Sequence, residues 1–228
     1  MTKKSTARLA GVVYLLVVLT GIFNLLYVPS QLIAWGDAAT TVSNIMSSEL
    51  LYRSGIVAGV FSYIFFLILP FLMFALFKEV NRTAAILMVI LAAVSAPISL
   101  FNMINKVDVL TLLSGAPYLS ALSAEQIQAQ VMLLLHSYNN GIKVVQIFWG
   151  LWLFPLGFLI FKSGCMPKIL GILLMVGCFG YLTLFLGTLL FPDVSLPGFI
   201  SKPASLGEIG TCLWLLVMGV KERPAQHP

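Results

Sequence analysis

The stretch LYRSGIVAGVFSYIFFLILPFLMFALF, residues 51–77, runs for 27 residues with a single charge, Arg53. About 20 predominantly apolar residues suffice for a helix to cross the hydrocarbon core of a bilayer. Further runs of the same kind lie at about 8–28, 83–104, 144–161, 169–190 and 206–220. These six stretches use up most of the 228 residues and leave no room for a separate soluble domain. The chain is 60% hydrophobic and 9% charged, with a mean hydropathy of +1.02. Soluble domains carry roughly 25% charged residues, and a water-soluble chain of this size could not hide so much apolar surface. The predicted fold is therefore all-α: one polytopic domain, a bundle of six transmembrane helices.

The first run starts with Lys3, Lys4 and Arg8, as a signal peptide would. Its apolar core exceeds the roughly 7–15 residues of a signal peptide, and Val28-Pro29-Ser30-Gln31 is a poor cleavage site. It is expected to stay as a span. Orientation follows from the short loops. If the spans alternate, Lys3, Lys4, Arg8, Lys78, Arg82, Lys162, Lys168, Lys221 and Arg223 share one side, against Arg53, Lys106 and Lys202 on the other. Lys143, inside the fourth span, counts on neither. Nine basic residues against three predict N-in and C-in by the positive-inside rule. The bacterial cytoplasmic membrane is the expected location.

The same scatter of basic residues excludes nucleic acid as a partner, despite the net charge of +5, because they form no patch. Cys165, Cys178 and Cys212 have no CxxC spacing and no neighbouring histidine, so neither a zinc site nor a disulfide framework is expected. No HExxH, GxSxG or P-loop occurs. With His227 in the tail, only His136 lies among the spans, too few for a haem held by two histidines. No catalytic residue, metal or cofactor is assigned.

Helix-start chemistry appears in three loops of the side with fewer basic residues. Ser123-x-x-Gln126 reads as a capping box flanked by Leu122 and Ile127. A helix from there to Phe161 would have about 38 residues, with 123–143 as an extension beyond the membrane, unless it breaks near Asn139-Asn140-Gly141. Ser205-x-x-Glu208 reads as a second box opening the sixth span. Asp37 is placed to cap a short helix reaching Met46.

Polar residues in the spans gather at one depth. Asn24, Arg53, Asn102, Asn105, Lys106, His136, Asn139, Asn140, Lys143 and Glu208 all fall toward the outer face, whereas the inner halves are nearly pure hydrocarbon. His136, Asn140 and Lys143 share a helix face by their i, i+4, i+7 spacing. Arg53, Asn102, Asn105, His136, Asn140, Lys143 and Glu208 are the candidate ligand-binding residues. Each has a plainer reading. Arg53 and Lys106 could snorkel to headgroups, Glu208 could serve only as a helix cap, and His136 could simply face water.

Several segments are familiar as a set: Ala7-Arg8-Leu9-Ala10-Gly11, Gly36-Asp37-Ala38-Ala39, Leu51-Tyr52-Arg53-Ser54-Gly55, Val80-Asn81-Arg82, Gly157 through Gly164, Pro167-Lys168-Ile169-Leu170-Gly171 and Gly207-Glu208-Ile209-Gly210. Together they resemble the bacterial membrane family called domain of unknown function 4386. The resemblance implies a multi-pass membrane protein and supplies no catalytic residues. Three functions then compete. The first is binding of a small molecule or lipid headgroup in an outer-facing polar cavity, as a carrier or sensor. The second is assembly with another membrane component, or as a homo-oligomer through the small-residue face at Gly55 and Gly59. The third is an outer-leaflet enzyme with Glu208 or His136 as general base. Membrane lipids are expected partners in each.

Overall fold

A computed structural model of the chain describes residues 2–191, 193–194 and 196–220. Lys221, Arg223 and His227 lie outside the described residues. Among the described residues every regular element is helical. In chain order, α1 is Lys3–Leu32, α2 Ala38–Ser47, α3 Glu49–Phe77, α4 Arg82–Leu112, α5 Ala124–Ser163, α6 Lys168–Leu190 and α7 Lys202–Val217. Helices α1, α3, α4, α5 and α6 are long and apolar enough to cross a membrane. Helix α7 has 16 residues, about 24 Å at 1.5 Å per residue against a hydrocarbon core of about 30 Å. Only 28% to 50% of the most apolar window of each long helix is buried. The outward-facing remainder suits lipid and would be an aggregation hazard in water.

Local chemistry explains the helix ends. Ser123 and Gln126 cap α5 reciprocally: the Ser123 N–H donates to Gln126 Oε1 at 2.8 Å and the Gln126 N–H to Ser123 Oγ at 3.3 Å. The 40-residue α5 continues through Asn139-Asn140-Gly141 and loosens at Trp152 instead. Pro155 has no N–H for the Leu151 carbonyl, which accounts for the looser turn there. Its far end closes on Gly164 at φ +65°, a left-handed cap that glycine adopts without strain. Helix α7 begins at Lys202 rather than at Ser205, because Pro203 suits a first helical turn. Glu208 therefore lies well inside α7 and is not the cap of its first turn.

The chain forms two compact units. The first comprises Met1–Leu16, Phe65–Ala96 and Val144–Pro228. Its helices approach so closely that side chains are excluded at the crossings. A Cβ on Gly157 would lie 2.5 Å from the Gly171 carbonyl oxygen, and one on Gly171 would lie 2.5 Å from that of Gly157. Gly11 meets the Leu216 backbone in the same way, at 2.4 Å. Trp152 is fully buried between Tyr14 and Phe66, with ring centroids at 6.3 and 5.1 Å. Lys3 pairs with Glu79.

The second unit comprises Val17–Ile64 and Pro97–Lys143. Its apolar centre is Val28, Leu32, Ile45, Tyr52, Val109, Val131 and Leu135. Gly55 abuts Val28, and Gly59 abuts Asn24 and Met103. Asp37 caps α2, its Oδ1 accepting from the Thr40 N–H at 2.9 Å.

Gly171→Val is expected to lower the thermal midpoint in detergent, at a cost of about 1–3 kcal/mol typical of overpacking. Gly36→Ala, whose Cβ would meet nothing within 4 Å, should leave the midpoint unchanged. Hydrogen bonds from the Thr40 hydroxyl and N–H hold the Asp37 carboxyl below its ordinary range. A depressed folded value means that the cap stabilises α2 at neutral pH and is lost as pH falls through that value. Hydrogen-exchange protection factors, corrected for the intrinsic pH dependence of amide exchange, should fall across Ala38–Ser47 on acidification, and Asp37→Asn should abolish that fall.

Candidate functional site

A broken helical ladder organises the second unit. Residues 23–27 of α1 form a π-helical turn, in which the Val28 N–H donates to the Phe23 carbonyl. In a regular α-helix that N–H would serve Asn24. In the π register the donor to Asn24 would be residue 29, a proline with no N–H. Both regular donors to the Asn24 carbonyl are thus withdrawn, and Asn24 is fully buried. An unpaired carbonyl in a lipid-embedded helix costs several kcal/mol.

Lys106 fills the gap. Its Nζ donates to the Asn24 carbonyl at 3.3 Å and to Asn24 Oδ1 at 2.7 Å. The ammonium lies 4.3 Å from the centroid of the Tyr138 ring, a cation–π distance. Asn24 Nδ2 donates to the Tyr138 hydroxyl at 3.1 Å, and that hydroxyl lies 3.3 Å from the Tyr63 hydroxyl. The Tyr52 hydroxyl donates to the Lys106 carbonyl at 3.2 Å. Lys106 is 3% exposed, and every one of these partners is neutral. Burying an ammonium is costly unless it is paired, and this one has two hydrogen bonds, both to Asn24, and no charged partner among those named.

Beside it opens a cavity of about 260 Å³ lined by Leu25, Pro29, Ile33, Trp35, Lys106, Leu135, Tyr138 and Asn139. A smaller cavity of about 110 Å³ is lined by residues that include Ile45, Glu49, Arg53 and Ser114. In the smaller one the charge is already matched, since Arg53 Nε donates to Glu49 Oε1 at 2.6 Å.

The sequence-predicted residues separate accordingly. Arg53 belongs to the small cavity. Asn102 and Asn105 form a structural pair: Asn105 Nδ2 donates to Asn102 Oδ1 at 3.0 Å, and Asn102 Nδ2 to the Tyr138 carbonyl at 2.8 Å. Gly141 makes room for that contact, because a Cβ there would lie 2.1 Å from Asn102 Oδ1. His136, Asn140 and Lys143 are all exposed. Lys143 Nζ reaches Asn140 Oδ1 at 3.5 Å, and the His136 ring packs on Trp35 at 5.1 Å, beside the larger cavity. Glu208 belongs to the first unit, where Oε1 accepts from the Tyr14 hydroxyl at 3.2 Å. Trp152 Nε1, Thr211 Oγ1 and Trp214 Nε1 of that unit are buried without a hydrogen-bond partner. Among the described residues no group of three His, Cys, Asp or Glu side chains could hold a metal ion.

Sequence reasoning missed Tyr138 and Trp35 as cavity residues, and Lys106 is not the snorkelling side chain it resembles. Pro29, five residues after a mid-run asparagine, was the available signal for an unpaired carbonyl.

Lys106→Met is expected to destabilise the protein by about 1–3 kcal/mol, the cost of leaving buried acceptors unpaired. A double-mutant cycle with Asn24→Leu should return a coupling of about 0.5–3 kcal/mol between the two positions. Strictly additive thermal shifts would contradict the capping role.

A family model described as Domain of unknown function (DUF4386) matches residues 9–219. An uncharacterized protein of Archaeoglobus fulgidus is 33% identical over 90 residues, covering 38% of this chain and 51% of that protein. The chain thus spans about half the length of this curated relative. No solved structure matches. With nearly its whole length matched, the chain belongs to the family of domain of unknown function DUF4386.

Proposed function

We propose that this chain is a bacterial cytoplasmic-membrane protein with six spans, N-in and C-in, that binds a small molecule or lipid headgroup in an outward-facing cavity, as a carrier or sensor. One observation carries the reading: a buried ammonium with only neutral partners stands in the wall of a cavity of about 260 Å³. An anionic ligand would supply the missing counter-charge, which is worth more in a low-dielectric site than in water. Lys106 and Tyr138 hold the ligand in this reading, with Trp35 and Asn139 beside them and His136 at the rim. Arg53, Asn102, Asn105, Asn140 and Lys143 shape the surrounding unit. Glu208 serves a separate locus in the first unit.

The five long apolar helices support membrane insertion. The sixth crossing is assigned to α7, whose short length is compensated by local thinning of the bilayer or snorkelling of flanking residues.

Three measurements test the reading. Native mass spectrometry of the purified protein should show a retained small molecule or lipid in the wild type that Lys106→Met loses. Bare protein in both would overturn the binding role. Impermeant maleimide on intact cells should label Ser47→Cys and Ser120→Cys in a cysteine-free background and spare Lys4→Cys. A reporter fused after residue 228 should be cytoplasmic. A reporter on the outer face would leave five crossings.

A further inference from the structure

We infer that the occupant of the larger cavity is a monovalent carboxylate with a compact apolar body, on the order of nine non-hydrogen atoms in all. The inference rests on the binding function proposed above and names its ligand class.

Charge sets the head group. The cavity lining contains one ionisable cation, Lys106, and no acidic side chain. A lysine ammonium has three donors. Asn24 takes two of them, and the third has no oxygen acceptor among the described residues. Asn139 and Trp35, whose side chains each carry a neutral N–H donor, line the same space. One positive charge and a few neutral donors match the two oxygens of a carboxylate. A phosphate dianion would bring a second negative charge that nothing in the lining neutralises. The arginine fork that favours bidentate phosphate binding is also missing, for the lining contains no arginine.

The rest of the wall sets the body. Leu25, Pro29, Ile33 and Leu135 are apolar, and Tyr138 and Trp35 present aromatic rings. At about 30 Å³ per water-sized group, a cavity of about 260 Å³ holds roughly nine such groups. That space admits an aromatic or short aliphatic acid, whereas the two acyl chains of a phospholipid would have to lie outside it. A zwitterionic amino acid is disfavoured, because its ammonium would meet Lys106 with no acidic residue to receive it.

The test uses the full chain in nanodiscs of phosphatidylcholine, titrated with benzoate and hexanoate and followed by calorimetry and tryptophan fluorescence. Benzoate should bind at least about tenfold more tightly than benzyl alcohol, its neutral near-isostere. Inorganic phosphate should not compete. Lys106→Met should lose benzoate binding by about tenfold or more. Because that substitution also removes the partner of Asn24, Ile33→Trp provides a second route: it fills the cavity, keeps Lys106, and should abolish binding too. Lys4→Met, a change of equal charge in the other unit, should bind as the wild type does. The fluorescence change on binding should disappear in Trp35→Phe.

Equal affinity for benzyl alcohol would overturn the role of charge. Competition by phosphate, or displacement of benzoate by phosphatidylglycerol added to the nanodiscs, would overturn the carboxylate assignment and reassign the site to phosphate chemistry, with the binding function intact. Absence of benzoate binding to folded protein would also overturn it. If native mass spectrometry then shows a different bound molecule, only the ligand class falls; if it shows bare protein, the binding function falls as well.

Discussion

A proline has no N–H, and where it leaves a buried carbonyl near the end of a long apolar helix without its donor, that omission must be made good by something other than water. In α1 the omission is compounded by a π turn, which diverts the Val28 N–H to Phe23 and leaves the Asn24 carbonyl to a side chain. Lys106 supplies the donor from 82 positions away in the chain. Much of the second unit's polar interior is arranged around that one repair. Asn24 must be buried and oriented so that both its oxygens face the ammonium. Tyr138 presents its ring to the same charge and its hydroxyl to Asn24. Gly59 must be small because a Cβ there would lie 2.7 Å from Asn24 Nδ2. Polar groups in hydrocarbon are expensive singly and stable as a closed set, and this set pairs the Asn24 oxygens while leaving the ammonium one donor and its charge unmatched.

The first unit solves a different problem. Lipid tails are as apolar as leucine, so helices gain little by hiding leucine from lipid and associate instead by close packing. Glycine pairs make that approach available. Gly157 and Gly171 face each other backbone to backbone, Gly11 meets the Leu216 backbone, and Gly207 admits Leu174. These glycines sit in the very segments through which the chain resembles its family. Much of what makes those segments recognisable is therefore helix contact, and the resemblance speaks to architecture more than to chemistry.

The legible part of the structure is the part that local chemistry decides. Long uninterrupted apolar runs have one stable solution in lipid, so the all-helical architecture could be read directly. The reciprocal cap of Ser123 and Gln126 and the Asp37 cap depend on residues three apart and could be read as well. The Arg53–Glu49 pair is also local, at i and i+4. Where two signals competed, the stronger was not obvious. Ser205 and Glu208 match a capping box, yet Pro203 starts the helix one residue earlier than itself, at Lys202, and turns Glu208 toward Tyr14. The Asn24–Lys106 contact depends on helix register, rotation and a π turn together, none of which a hydropathy pattern encodes. A common level along the spans, the most that a hydropathy pattern can suggest for polar residues, does not say which of them meet.

The repair at Asn24 does not by itself require a charge. A glutamine at position 106 could donate to a carbonyl and to an amide oxygen through a neutral NH₂ group, without the desolvation cost of an ammonium, which amounts to several kcal/mol per buried ion. The Tyr138 ring recovers part of that cost, about 2 kcal/mol for a desolvated cation–π contact, and the rest is uncompensated by any acidic partner of Lys106 in the unit. The excess is the physical quantity that separates a cap from a binding group. A group whose only task was to pair Asn24 would be more stable neutral. A group that must also attract an anion into a cavity of aliphatic and aromatic walls has to carry its charge there beforehand, with Asn24 holding it in position until the ligand arrives.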